Sequence, residues 1–291
     1  MIPKEILKRI RRIDLRTRRL VNDIFSGEYH SVFKGRGVEF SEVREYSFGD
    51  DIRTIDWNVT ARMDRPYVKL FEEERELTVM LLFDISSSGE FGSVSRLKRD
   101  IAAEICAVLA FSAIQNNDKV GLVLFTDTIE KFIPPKKGRR HILRILRELL
   151  YYKPQDKKTD IAASLEFLLR VTQKHTISFL VSDFIAEGYE KPLAIAGKKH
   201  DIIPVVITDP RETSLPSIGL IELEDAETGE MLLLDTKDMN LVKQFSESAI
   251  ASTEKRKNIF NSIGLDTIEV STDTDYLPKL VSFFRRRERR F

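Results

Sequence analysis

Five residues of this chain carry the donor chemistry of a hard metal ion. They are Asp84, Ser86 and Ser88 in Asp84-Ile85-Ser86-Ser87-Ser88, Thr159 in Thr159-Asp160, and Asp183 in Val181-Ser182-Asp183-Phe184. All five are oxygen donors, two carboxylates and three hydroxyls, and neither His nor Cys occurs within these motifs. Such a set selects Mg²⁺, Mn²⁺ or Ca²⁺ and disfavours zinc and copper, which prefer softer nitrogen and sulfur ligands. Alternate residues of an extended turn point the same way, so Asp84, Ser86 and Ser88 can converge. Two carboxylates and three neutral hydroxyls do not fill and neutralise an octahedral shell, so waters or an acidic side chain from another molecule must complete it. Singly, each residue has a plainer use: Ser88 or Thr159 would cap a helix, and a strand-end Asp is common. Their combination at strand ends separates a metal site from coincidence.

The hydropathy pattern supplies a scaffold that could bring these segments together. Residues 77–83 form a continuous apolar run, as expected of a parallel strand buried on both faces. Helical spacing follows over 95–116, then strands at 120–125 and 129–133, the second pairing back as a hairpin. Helices are expected at 138–151, 160–173 and 189–198, with strands at 177–181 and 202–207 between and after them. A hairpin over 217–235, a long helix over 237–262, a strand at 265–270 and a helix from 275 complete the pattern. This alternation predicts an α/β, doubly wound, mostly parallel sheet over 76–291, covered by helices on both faces. Ligands of such sheets bind beyond the carboxyl ends of the strands, where Asp84 and Asp183 fall. The helix after the first loop is expected to offer its N-terminal dipole end to anionic groups.

Residues 1–75 form a distinct N-terminal extension. Ile2, Ile6, Ile10, Ile13, Leu20 and Ile24 mark one apolar stripe of a helix over 3–25 whose other face is rich in Lys and Arg. Such a helix packs on its own domain or lies on an anionic surface, and membrane contact, if any, is expected only through residues 1–25. Residues 26–75 read as short strands and turns without clear periodicity. The Arg, Glu and Asp residues between Glu39 and Arg62 are expected to form an ion-pair network that fixes the extension on the main domain, with a partner-contact surface as the alternative.

The formal net charge is +1, which gives no global bias toward nucleic acid. Residues 285–290 hold a run of Arg without interleaved aromatics and read as a solvated tail. Cys106 is the one cysteine, so no internal disulfide can form and a reducing compartment fits. No apolar run reaches the roughly 20 residues of a membrane span, and a cytoplasmic location is expected.

At this point the residues resemble a known family. Residues 76–291 resemble a von Willebrand factor A-like domain, whose metal-ion-dependent adhesion site uses Asp-x-Ser-x-Ser, a Thr and an Asp. That resemblance implies Asp84, Ser86, Ser88, Thr159 and Asp183 as the ligand positions; Asp160 is either a second layer around them or a helix-start charge. Upstream, Gly35-Arg36-Gly37-Val38-Glu39-Phe40, Arg44-Glu45-Tyr46, Gly49-Asp50-Asp51-Ile52-Arg53 and Ile55-Asp56-Trp57-Asn58 followed by Ala61-Arg62 look like the signature of bacterial domain-of-unknown-function family fifty-eight. Proteins of that family often accompany MoxR-type AAA+ ATPases. The resemblance therefore implies a non-enzymatic, metal-dependent protein-binding module that acts with such an ATPase, or its client, in assembling or activating other proteins.

Other chemistries fit the residues less well. A haloacid-dehalogenase-like phosphatase needs an acid two residues after the strand-end Asp, and Ser86 stands there. No glycine-rich phosphate loop follows the first strand. His30, His141, His175 and His200 are scattered, and Cys106 falls mid-helix, so no nucleophilic triad is suggested. A hydrolase using the same ion to activate water is the remaining alternative, and it lacks an evident general base.

Overall fold

The computed structural model describes residues 38–63, 65–73, 77–93, 96–226 and 229–290. The helix expected over 3–25 and Gly35-Arg36-Gly37 lie outside these residues. Those described separate into two compact units, divided after Leu77.

In the smaller unit, β1 (Val38–Glu45) pairs antiparallel with β2 (Tyr67–Glu73) through a register shift between Phe40 and Glu42. A short 3-10 turn, Ile52–Thr54, and helix α1 (Trp57–Met63) lie between the strands. The helix was not foreseen among the strands and turns. The Asp56 carboxylate starts it by accepting the Asn58 and Val59 N–H groups, at 2.9 and 3.2 Å. Charged residues close this unit on itself: Arg44 grips Asp50 through both terminal nitrogens, Arg65 meets Glu45 and Lys69 meets Asp56.

The larger unit is built on a six-stranded sheet in the order β10-β7-β6-β3-β4-β5. Its strands are β3 (Thr78–Asp84), β4 (Lys119–Phe125), β5 (Ile129–Lys136), β6 (Ile177–Ser182), β7 (Asp201–Thr208) and β10 (Ile268–Ser271). All neighbours run parallel except β5, which returns antiparallel on β4 as the hairpin pattern predicts. β5 is an edge strand, which accommodates Pro134 and Pro135, residues that donate no ladder hydrogen bond. Strand β8 (Leu220–Glu224) pairs antiparallel with β9 (Met231–Asp235) as a separate hairpin.

The strands β3, β4 and β6 are apolar because both of their faces are covered. Met80 and Leu82 face a core with Ile161, Leu165 and Leu168 of α4 (Ile161–Val171), Leu193 and Ala196 of α5 (Glu190–Lys199) and Phe260 of α6 (Met239–Ile263). The alternate residues Val79, Leu81 and Phe83 point to the opposite face, where α2 (Lys98–Gln115) packs against β3, β4 and β7. Helix α2 buries side chains all round from Ile101 to Ala113, as a central helix must. Helix α3 (Arg139–Tyr151) is one-sided, with Ile142, Ile145, Leu146 and Leu149 at helical spacing. Gly121 in β4 lets the sheet meet Met80, since a Cβ there would stand 2.6 Å from its sulfur.

The C-terminal basic run is exposed at Arg285, Arg286, Arg289 and Arg290, as composition suggests, but it is helical and not a free tail. It closes helix α7 (Leu277–Glu288), whose inner face is Leu280, Phe283, Phe284 and Arg287. Arg287 is buried against Asp201, and Arg290 pairs with Asp266 at 2.6 Å. Cations in the last turn also suit the negative end of the helix dipole. Among the described residues, no helix is long and apolar enough to cross a membrane.

Candidate metal centre

The sheet order sets the location of the centre. From β3 the chain moves outward to β4 and β5, then crosses back to β6 on the other side of β3. The strand order therefore reverses between β3 and β6, and a crevice opens at their carboxyl ends. It is lined by Asp84, Ser88, Lys98, Ser182, Asp183 and Ile207, among others.

Asp84 ends β3. The next residue is held by a hydrogen bond from the Ile85 N–H to the Phe125 carbonyl, at 2.9 Å, which turns the loop over the sheet edge. Asp84 Oδ1 accepts the Ser86 N–H at 2.9 Å, and the Ser86 and Ser88 hydroxyl oxygens stand 3.1 Å apart. The expected convergence of Asp84, Ser86 and Ser88 is thus built from a short local turn. The helix dipole expected to follow is displaced: Ser87–Glu90 is a 3-10 turn, and α2 begins only at Lys98.

Asp183 follows β6 and is buried. Its Oδ1 accepts the Ile185 N–H at 3.1 Å. Between them Phe184 has φ of 60°, a left-handed conformation that costs a bulky residue of order 1–3 kcal/mol. The Ser182 hydroxyl accepts the Phe184 N–H at 3.0 Å, and the ring packs edge-on against Tyr189 and Phe260 at 5.8 and 5.1 Å between centroids. The same Ser182 hydroxyl donates to Asp84 Oδ2 at 2.7 Å, joining the two acidic strand ends. Ser182→Ala should leave one oxygen of Asp84 and the strained Phe184 N–H without this partner. The expected loss is about 1–3 kcal/mol in unfolding free energy, read from urea denaturation.

Thr159 arrives on the loop between α3 and α4. Glu130 pins that loop by accepting the Gln155 and Asp156 N–H groups at 2.8 and 3.1 Å. The Asp160 N–H donates to the Thr126 carbonyl, and the Ser87 N–H donates to the Lys157 carbonyl. These contacts bring the loop beside the serine turn at the ends of β3 and β4. Thr159 is partly buried there but does not line the crevice. Asp160 is a helix-start residue: its carboxylate caps α4 by accepting the Ala163 N–H at 3.0 Å.

Sequence reasoning missed the cation of this centre. Lys98 is buried, with Nζ 2.7 Å from Asp183 Oδ2 and 2.5 Å from Glu212 Oε1. Burial opposes its charge, but the two carboxylates overcome that and raise its pKa. A signal was present: a Lys in the first helical turn faces the positive end of the dipole, so it needs a specific anion. Glu212 in turn accepts the Asp209 N–H at 2.9 Å through its other oxygen. Asp209, just beyond β7, is buried and receives Ser93, Thr272 and Arg211. Burial would raise its pKa, but these donors carry it down to about 2. The side chains that sequence gave no role stay apart from this chemistry. Cys106 is fully buried, which pushes its thiol pKa up, and buried His200 lies between Thr172 and Thr176.

Asp84 behaves in the opposite way to Asp209. Burial, and then the charge of Asp183, raise it to about 6, only partly offset by hydrogen bonds from Ser86 and Ser182. A carboxylate burdened by a like charge, beside two hydroxyls and facing a crevice, is electrostatically prepared for a cation. The donor set fits a hard divalent ion. Among the described residues no cluster of three or more His, Cys, Asp or Glu could hold a metal, so any ion here depends on the serine hydroxyls. Asp183 has both carboxylate oxygens already bonded, which suits contact through water better than direct ligation.

The chain is 28% identical over 283 residues to the uncharacterised protein Rv1480 of Mycobacterium tuberculosis, covering 96% of this chain and 89% of that one. Among solved structures, it is similar to the conserved hypothetical protein BatB of Bacteroides thetaiotaomicron, at 13% identity and a TM-score of 0.47, over 73% of this chain and 99% of that one. It is also similar to the SpRpn10 VWA domain, at 13% identity and a TM-score of 0.40, over 71% of this chain and 94% of that one. The family model described as "Protein of unknown function DUF58" matches residues 42–255, and the chain belongs to that family.

Proposed function

We propose that this chain is a metal-assisted protein-binding module and not an enzyme. The observation that carries the reading is the strand-end crevice itself, where Asp84, with its pKa raised to about 6, stands with the paired Ser86 and Ser88 hydroxyls and near Asp183. In this reading Asp84, Ser86 and Ser88 hold an ion of the Mg²⁺, Mn²⁺ or Ca²⁺ class, Thr159 joins directly or through water, and Asp183 anchors a water. The ion supplies an open coordination position with residual positive charge. An Asp or Glu of a protein partner takes that position.

The partner proposed is a MoxR-type AAA+ ATPase or its client, in the cytoplasm, with no role for nucleic acid. The test is a pull-down with the ATPase in Mg²⁺ and in chelator, comparing wild type with Asp84→Ala. Capture should be lost in chelator and in the variant, while circular dichroism shows the fold retained. Capture unchanged by both would end the proposal. A hydrolase reading would rest on Asp84, whose pKa burial and the charge of Asp183 raise to about 6. Mg²⁺-dependent turnover that disappears in Asp84→Ala would establish it instead.

A further inference from the structure

We propose that Lys98 is a resident cation that competes with a divalent ion for the charge of Asp183 and so sets the metal affinity of the centre. The inference rests on the metal reading of Asp84 and adds a determinant that the five donor residues do not contain. Lys98 Nζ is 2.7 Å from Asp183 Oδ2 and 2.5 Å from Glu212 Oε1, and its side chain is 4% exposed. An ammonium so placed is not a surface charge screened by salt; it acts at short range through a poorly hydrated medium.

The arrangement is also held in place. Glu212 belongs to a capping box in which the Asp209 carboxylate accepts the Arg211 N–H and Glu212 accepts the Asp209 N–H. Asp209 is fixed in turn by the Ser93 N–H at 2.9 Å and the Thr272 hydroxyl at 2.5 Å. Lys98 therefore cannot leave Asp183 without leaving a second carboxylate anchored to the ends of β7 and β10. The formal charges of Asp84, Asp183, Glu212 and Lys98 sum to −2, the charge one divalent ion neutralises. Without Lys98 the sum is −3, and Asp183 is free to turn its Oδ2 toward the ion. Both effects tighten binding, whereas a purely structural Lys98 would loosen it when removed.

The experiment is titration of the purified chain with Mn²⁺, read by calorimetry and by the electron paramagnetic resonance of the free ion. Lys98→Met should bind Mn²⁺ on the order of tenfold more tightly than wild type. Lys98→Arg, which keeps the charge, should stay within about threefold of it. Lys98→Met leaves two carboxylates unpaired, so Lys98→Met/Glu212→Gln serves as a companion that leaves the total charge unchanged. It too should bind more tightly, because Asp183 has lost its competitor. Equal or weaker binding by the folded Lys98→Met protein or by the double variant overturns the inference, while wild-type binding abolished by Asp84→Ala keeps the metal reading. Absence of Mn²⁺ binding in wild type and all variants overturns both. Binding seen only in the Lys98→Met proteins supports the inference in its strongest form.

Discussion

Replacing Asp84 by Asn is expected to stabilise the ion-free protein at neutral pH while abolishing its binding of a divalent ion. The folded chain holds the Asp84 proton to about 6, against about 4 for an unfolded aspartate. Between those values the folded protein carries the extra proton, so stability falls as pH rises through the window. At pH 7 the deficit is complete, on the order of 1–3 kcal/mol. Asn has the same shape, accepts from the Ser86 N–H and removes the charge. Unfolding free energies of wild type and variant, measured in chelator from pH 4 to 7, should diverge in favour of the variant as pH rises. Added Mg²⁺ should raise the stability of wild type alone. A variant less stable than wild type at pH 7 would show that the Asp84 carboxylate serves the fold and not a cation.

The second large effect has the opposite sign. Asp209→Ala should cost about 3–5 kcal/mol, because it leaves four buried or half-buried donors without their acceptor. The donors are the Ser93 N–H and hydroxyl, the Thr272 hydroxyl and the Arg211 N–H. For a unit of this size that is a fall of about 8–15 °C in midpoint temperature, read by calorimetry. Asp209 is held at about 2 in the folded chain, so its contribution is fully present above about pH 4 and is lost as pH falls toward 2. Asp209→Ala should therefore lose less at pH 2 than at pH 7. Two strand-end acids on either side of β6 thus respond in opposite directions: one is saturated with donors, the other is pressed by a neighbouring charge.

The contrast shows which parts of the centre local sequence could reveal. The Asp84–Ser88 turn is readable because its geometry is local: Asp84 Oδ1 takes the N–H two residues on, and the serines follow at alternate positions. Asp160 is ambiguous in sequence, since a helix start and a metal neighbour favour the same residue there, and its carboxylate on the Ala163 N–H makes it the helix start. Lys98 stands outside the metal motif, and its place in a first helical turn asks for an anion without saying which. Its partners stand 85 and 114 residues away, and nothing near Lys98 in sequence is acidic in a way that would single them out. Ser182 looked like an ordinary strand residue next to Asp183, yet one rotation of its hydroxyl ties Asp84 to the strained Phe184.

The alternation of apolar strands with one-sided helices determined the α/β class, the parallel sheet and the antiparallel hairpin of β5, because burial on two faces or one leaves a period that each segment carries alone. It also placed Asp84 and Asp183 at carboxyl strand ends, and so named the crevice. Tertiary structure alone decided the strand order that makes β3 and β6 neighbours, the burial that raises Asp84 while multiple donors lower Asp209, and the ammonium of Lys98 set against Asp183. These depend on distances between residues far apart in the chain. Electrostatic energies follow such distances and the depth of burial, neither of which a one-dimensional pattern contains.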